Sequence, residues 1–230
     1  MEIADKKKVR DCFSRASKRY DQEAFFQKKV ADRLLKFSIP SLIFSAQTLE
    51  KICLSHAGER RKSFNEGGVS PPIVLDLGCG TGYSLPALSH HFPNASLIGL
   101  DLSHAQCTEA SGKNPHSILC ADFDAIPLPN QSVDLVFSSL ALQWSPDFPA
   151  SLQEIFRVLK PGGNLVFSTL GAGSVRELAQ AKKLANPSQF ENLLAPRFLS
   201  PEAIQEVMRR ILLNMRNPLM SKNTSSGGGG

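Results

Sequence analysis

Apolar residues fall along this chain in two rhythms. Between Gln22 and Phe37 they recur every three or four positions (Phe25/Phe26, Val30, Leu34, Leu35) with lysines and acids between them, the spacing of a helix with one buried face. From Ile73 onward they come as short runs: Ile73–Leu77, Ala95–Leu100, Ser117–Ala121, Val133–Ser138 and Asn164–Thr169. Helical patterns separate the runs: one from Tyr83 to His91, one opened by the capping box Ser103-His104-Ala105-Gln106, and one that buries Leu152, Ile155, Phe156 and Leu159. Strands alternating with helices predict an α/β protein with a doubly wound, mostly parallel sheet.

The flanks read differently. Asp5–Phe13 forms a short basic helix, Pro40-Ser41 breaks the Gln22–Phe37 helix, and a further apolar segment follows from Leu42 to Leu54. His56–Pro72 is polar and reads as an exposed loop. Beyond the last strand, Ser174-Val175-Arg176-Glu177 is a second capping box, and Ser200-Pro201-Glu202 starts another helix. After Met215 the chain turns Asn- and Ser-rich and ends in four glycines. The expected organisation is a helical segment over 1–56, a loop over 57–72, the sheet domain over 73–215 and a disordered tail over 216–230.

A chain of 230 residues supports one domain with a sizeable core and a helical appendage. No stretch is long and apolar enough to span a bilayer, and no apolar secretory region follows the charged N-terminus. The five cysteines include no C-x-x-C and no histidine-paired spacing, so reduced thiols in a cytoplasmic protein without a metal site are expected. The net charge of +5 is placed unevenly: residues 1–36 carry eleven lysines and arginines against six acids, and the remainder balances. Such a surplus serves either as a solvated helix face or as a docking surface for an acidic partner.

The chemistry concentrates at the end of the first strand, in Asp76-Leu77-Gly78-Cys79-Gly80-Thr81-Gly82. Alternate glycines allow positive φ and a ligand's close approach. The third glycine of a dinucleotide fingerprint would fall on Tyr83, and no Gly-Lys-Ser/Thr of a phosphate loop exists. The leading acid, Asp76, would repel a pyrophosphate but could organise the loop or face a cation. Two more acids close the next strands, Asp101 and Asp122, each followed by an apolar residue, Leu102 and Phe123. In such sheets an acid about 20 residues beyond the loop meets ribose hydroxyls.

This pattern resembles the class I S-adenosylmethionine (SAM) methyltransferases. Val74–Gly82, Leu97–Ser103, Ala121–Asp124, Phe137–Trp144 and Leu159–Thr169 look like the motifs of that fold in order. SAM carries an ammonium, a ribose diol and an exocyclic amine, which Asp76, Asp101 and Asp122 match piece by piece. Phe13–Ala24 with Gln27, Ser138–Trp144, Phe167–Gly171 and Arg197-Phe198-Leu199 further resemble the malonyl-acyl-carrier-protein O-methyltransferases, which open pimeloyl synthesis for biotin. The resemblance implies SAM as cofactor, strand order 3-2-1-4-5, and a monomer acting on malonyl-acyl carrier protein without nucleic acid or membrane. It implies cofactor contacts from Tyr20, Gln27, Asp76, Gly78, Gly80, Asp101, Leu102, Asp122, Phe123 and Ser139, with residues 1–56 as lid and docking segment.

A malonyl carboxylate is already ionised, so no general base is required and no catalytic dyad is expected. Gln143 and Trp144 belong to the substrate side, with Tyr20 beside them. Arg15, Arg176 and Arg197 are candidates to hold the free carboxylate. A quinone-pathway type small-molecule methyltransferase and a non-catalytic SAM-fold assembly protein remain alternatives. A nucleic-acid enzyme is disfavoured: Ser138-Ser139-Leu140-Ala141 stands where amino-methylating enzymes resemble one another in a [DNS]-P-P-[YF] motif, there is no Pro-Cys, and no basic aromatic-rich stretch occurs. No β-branched or alternating run after Thr169 supplies the antiparallel strand pair usual in the class. The expectation is therefore a five-strand sheet, open at its last strand, that binds SAM but turns over poorly.

Overall fold

The computed structural model describes residues 5–44, 70–171, 174 and 199–216. Five parallel strands form the sheet: β1 (Ile73–Leu77), β2 (Ser96–Asp101), β3 (Ser117–Cys120), β4 (Val133–Ser139) and β5 (Leu159–Ser168). Their order is β3-β2-β1-β4-β5, as the sequence implies. Among the described residues β5 pairs with β4 alone. Helices α1 (Lys6–Glu23) and α2 (Phe25–Phe44) precede the sheet; α3 (Leu85–His91), α4 (His104–Lys113), α5 (Phe148–Val158) and α6 (Pro201–Arg216) follow in order.

The strands read as continuous apolar runs because both faces are covered. Side chains of a strand alternate between faces, and here they divide into two cores. Leu75, Leu77, Leu100 and Val136 pack with Leu152, Ile155 and Val158 of α5 and Ile211 of α6. Val74, Leu97, Leu135, Phe137 and Val166 pack on the other side with Leu35 and Ile39 of α2 and Leu85 and Leu88 of α3. α2 therefore completes a layer of the sheet, whereas α1 lies against α4.

Four local expectations are corrected. The first helix runs on to Glu23 and the break falls at Ala24, whose N–H still donates to Tyr20 O at 2.7 Å. α2 continues through Pro40 to Phe44: proline removes one backbone bond, but Leu35 and Ile39, in the turn before it, are locked into the core. Lys160-Pro161-Gly162-Gly163 is not a turn preceding the fifth strand but a bulge within it. Leu159 pairs with Val133 and Asn164 with Leu135, so the extra residues loop out, with Gly162 at φ +79°. The capping box at α4 is only half formed. Ser103 Oγ accepts the Gln106 N–H, but the Gln106 side chain turns away and donates to Phe13 O at 3.2 Å. At α6 the Ser200 hydroxyl caps the Ala203 N–H, as read from sequence. The helix expected from Ser174 to about Ala185, and most of Leu42–Leu54, lie outside the described residues.

Two polar clusters hold the end of the sheet away from the glycine loop. Asp134 Oδ2 on β4 accepts the Ile73 N–H at 2.8 Å and Lys160 Nζ at 2.6 Å, joining β1 and β5 across β4. Arg157 grips Glu154 with two bonds of 2.7 Å and donates to Ile126 O and Leu128 O, while Glu154 accepts the Ile126 N–H at 2.8 Å. This fork fastens the β3–β4 connection onto α5. The Arg157 bonds, outweighing burial, hold the Glu154 carboxyl below its ordinary pKa. A carboxylate depressed in the folded state stabilises above its unfolded pKa and loses that contribution as pH falls through the folded one. Arg157→Met should cost about 2 kcal/mol at pH 7, lowering the unfolding midpoint by roughly 4–8 °C. The deficit should begin to shrink as pH falls below about 4, the ordinary range in which the variant's Glu154 protonates, and go on shrinking until the parent's Glu154 protonates too; an unchanged midpoint at pH 7 would refute the fork.

Candidate cofactor and substrate site

Parallel register sets the site. Leu77 lies opposite Leu100, and Asp101 opposite Cys120, so β1, β2 and β3 end side by side. Leaving β1, the N–H groups of Gly78 and Cys79 both donate to Leu100 O, at 2.7 and 3.0 Å, which stitches the loop to β2. Gly78, Gly80 and Gly82 have φ of +75°, +56° and +79°. At Gly78 the reason is also steric: a Cβ there would sit 2.3 Å from Ala141 Cβ, beyond β4. The two loops meet without room for a methyl group.

The three acids have three different environments. Asp76 is 2% exposed, and among the described residues its Oδ2 has no hydrogen-bond partner. Burial, and then the nearby Asp101 charge, push its carboxyl up to about 7. Asp101 is partly buried in the cleft. Its Oδ2 accepts the Gly80 N–H at 2.9 Å and its Oδ1 the Ser103 N–H at 2.8 Å; these bonds oppose the upward push of burial without cancelling it. Asp122 is occupied: Lys6 Nζ lies 2.7 and 2.6 Å from its two oxygens and also bonds Asp124.

Between these strand ends and α1 lies a cleft of about 680 Å³. The strand ends line it with Gly78, Gly80, Asp101, Leu102, Asp122 and Phe123, and the segment after β4 with Ser139, Leu140, Ala141 and Trp144. α1 contributes Lys6, Val9, Arg10, Phe13 and Tyr20. Tyr20 reaches the glycine loop, its Cε1 lying 3.8 Å from where a Gly80 Cβ would be. Burial first, then Asp101 and Asp21, raise its phenol to about 12, so it stays protonated. Phe13 stands edge-on to both Tyr20 (6.1 Å) and Trp144 (5.6 Å), joining α1 to the far wall.

α1 is latched at its C-terminal end. Asp21 accepts from Thr81 Oγ1 at 2.6 Å and from Lys113 Nζ at 2.7 Å, and its carbonyl accepts from Lys28 Nζ at 2.7 Å. Ser14 and Ser103 share a hydroxyl bond of 2.8 Å midway. The roof is thus tied to the glycine loop and to α4.

Several anticipated residues lie elsewhere. Gln27 does not line the cleft, and neither does Asp76, which is buried behind the glycine loop. Gln143 is buried in a neighbouring, smaller pocket with Ser145, Phe148, Thr169, Leu199 and Ile204, its Oε1 accepting from Thr169 Oγ1 at 3.5 Å. Arg15 is exposed and does not line the cleft; Arg10, one turn nearer the N-terminus, does. Arg176 and Arg197 lie outside the described residues. The sequence did not single out Lys6, Phe13, Asp21 or Leu140. Leu140 takes φ +54°, uncommon for a non-glycine, with its N–H on Ser168 O at 3.0 Å. Nothing in the residue type announces that. Lys6 was legible only as a member of a basic helix, and Phe13 and Asp21 only as members of the family-like stretch Phe13–Ala24. Among the described residues no cluster of acids, histidines and cysteines could hold a metal ion, and no helix is long and apolar enough to cross a membrane.

Comparison with known proteins agrees with this geometry. Residues 75–167 match the family model described as a methyltransferase domain. A malonyl-acyl-carrier-protein O-methyltransferase of Hamiltonella defensa is 34% identical over 210 residues, covering 90% of this chain and 67% of the relative. Those of Marinomonas (38% identical, 78% and 57% covered) and Halorhodospira halophila (35%, 77% and 52%) are similar too. The chain spans about half to two thirds of the length of these relatives. Among solved structures, a SAM-dependent methyltransferase from Thermotoga maritima aligns with a TM-score of 0.56 at 19% identity over 86% of this chain and 78% of that one. A Haemonchus contortus phosphoethanolamine N-methyltransferase aligns at 0.51 and 21%, over 72% and 36%; both likenesses concern the fold. With its cleft at the carboxyl ends of β1, β2 and β4, this chain belongs to the malonyl-acyl-carrier-protein O-methyltransferase family of SAM-dependent methyltransferases.

Proposed function

We propose that the cleft under α1 binds SAM and that the chain O-methylates the free carboxylate of malonyl-acyl carrier protein in the cytoplasm, as a monomer. One observation carries the reading. An orphaned, buried carboxylate oxygen on Asp76 and a cleft-lining carboxylate on Asp101 flank a glycine loop whose Gly78 and Gly80 also line the cleft. A buried carboxylate pair demands positive charge or hydroxyl donors, and SAM supplies both. In this reading Asp101 takes the ribose diol, Asp76 faces the ammonium, and Leu102 and Phe123 flank the adenine beside Asp122. Gly78 and Gly80 admit the ligand, Tyr20 closes over it, and Ser139 and Trp144 border the substrate side. Gln27 and Gln143 drop out of direct contact.

SAM supplies an electrophilic methyl group when bound. This chain's own residues then have three tasks: binding, aligning a carboxylate with that methyl, and excluding water. Phe13, Trp144 and Leu140 make the apolar enclosure. No proton has to be moved, which agrees with a protonated Tyr20.

Acyl carrier protein, by family resemblance strongly acidic, would dock on the N-terminal helices. Exposed cations there include Lys18, Arg19, Lys29, Arg33 and Lys36, on the helices that also expose Phe25 and Phe26 by 65% and 54%. Lys29 lies over the Phe25 ring at 4.3 Å. Lys28, by contrast, is spent on Asp21 and the Tyr83 ring, so it belongs to the latch.

Asp101→Ala should weaken SAM binding about ten- to a hundredfold by calorimetry with the fold intact; unchanged binding would remove β2 from the site. Because burial and the Asp101 charge hold the Asp76 carboxyl near 7, a cation bound beside it must lower that value and release a proton. SAM affinity should therefore climb as pH rises toward about 7 and level off above, with proton release detectable at pH 6.5 in buffers of different ionisation enthalpy. Asp76→Asn should bind weakly and without that slope. Charge reversal at Lys29, Arg33 and Lys36 should cut kcat/KM for malonyl-acyl carrier protein severalfold, more at low salt, and largely spare malonyl-CoA. Equal losses on both substrates would move these residues from docking to the pocket.

A further inference from the structure

The adenine end of the cleft is already filled by a group of the protein itself. Lys6 Nζ bonds both oxygens of Asp122 and reaches Asp124, while its ammonium lies 5.5 Å from the centre of the Phe123 ring. One side chain thus takes the acceptor and the ring face that a nucleobase with an exocyclic amine would use. Asp122 has little acceptor capacity left, because Oδ1 also receives the Asp124 N–H at 2.9 Å. Burial disfavours the Lys6 charge, but the two aspartates outweigh it, so the ammonium persists.

The helix that carries Lys6 is fastened unequally. Its C-terminal end is tied to the glycine loop, α4 and α2 through Asp21, and Ala24 separates it from α2. Midway, Ser14 and Phe13 meet α4 through Ser103 and Gln106. At the N-terminal end Lys6 ties the helix to Asp122, just past β3, and the pair is partly exposed, with side chains 28% and 31% accessible. A helix of 18 residues is about 27 Å long, so a small rotation about Asp21 carries Lys6 far.

We propose that Lys6 is a removable plug of the adenine subsite: it holds Asp122 and Asp124 in the empty protein, pins α1 shut, and must leave Asp122 before a nucleoside amine can replace it. The inference rests on reading the cleft as the SAM site. It makes cofactor entry an exchange of one donor for another, and the affinity for any adenine nucleoside the difference between two interactions. An exposed or half-exposed ion pair is screened by salt and is modest in strength.

The test uses the full chain and S-adenosylhomocysteine, which has no net charge at neutral pH. Lys6→Met keeps the aliphatic stem and removes the donor; it should bind about three- to tenfold more tightly by calorimetry. Wild-type affinity should improve as salt rises from 50 to 500 mM, and the variant's should stay flat. Lys6→Arg should follow the wild type. Trp144 is the sole tryptophan and contacts Phe13 of α1, so its fluorescence reports the roof: Lys6→Met without ligand should already resemble the wild type at high salt. Equal or weaker binding by Lys6→Met would overturn the plug and make Lys6 a clamp. Binding by neither chain would overturn the plug together with the cofactor reading.

Discussion

Everything at the site follows from one carbonyl. Leu100 O, at the end of β2, accepts the N–H groups of both Gly78 and Cys79, and it can do so only because β1 and β2 run parallel with Leu77 opposite Leu100. That bifurcated acceptance turns the chain away from β1 and drops Gly80 onto Asp101. It also leaves Asp76 beneath the loop with one oxygen unmatched. A shift of one residue in this register would send every side chain to the wrong face and separate the acids.

How much of this could be read from sequence depends on how local the cause is. The glycine loop and the strand-end acids follow from residue types at fixed spacing, and strand order comes with the family that the motifs resemble. The ends of α1 and α2 did not: Pro40 looks like a helix break until Leu35 and Ile39 are seen in the core. The Lys160–Gly163 bulge has the composition of a turn, and only pairing of Leu159 with Val133 makes it part of a strand. Leu140 has no local signal for its left-handed backbone, which the Ser168 contacts impose.

The basic N-terminus shows the same limit in charge. Counting found the surplus but not its direction. Helical geometry sends Lys6 inward to Asp122 and turns Lys28 back on Asp21, while Lys29, Arg33 and Lys36 face outward. Both alternatives offered by composition, solvated face and docking surface, omitted a third use: cations spent within the fold to close a roof.

The Asp134 and Arg157 clusters lie at the opposite end of the sheet from the acids, the strained Leu140 and the orphan oxygen. The anchored end is not free of strain, since Gln131, just before β4, takes φ +52°, but its N–H is held by Arg157 O at 2.9 Å. Substitutions at the ligand end can accumulate while the anchored end keeps the chain folded, and some would even relieve unfavourable local energy. A change in the segment after β4 therefore alters what the cleft contacts while leaving the anchoring hydrogen bonds untouched.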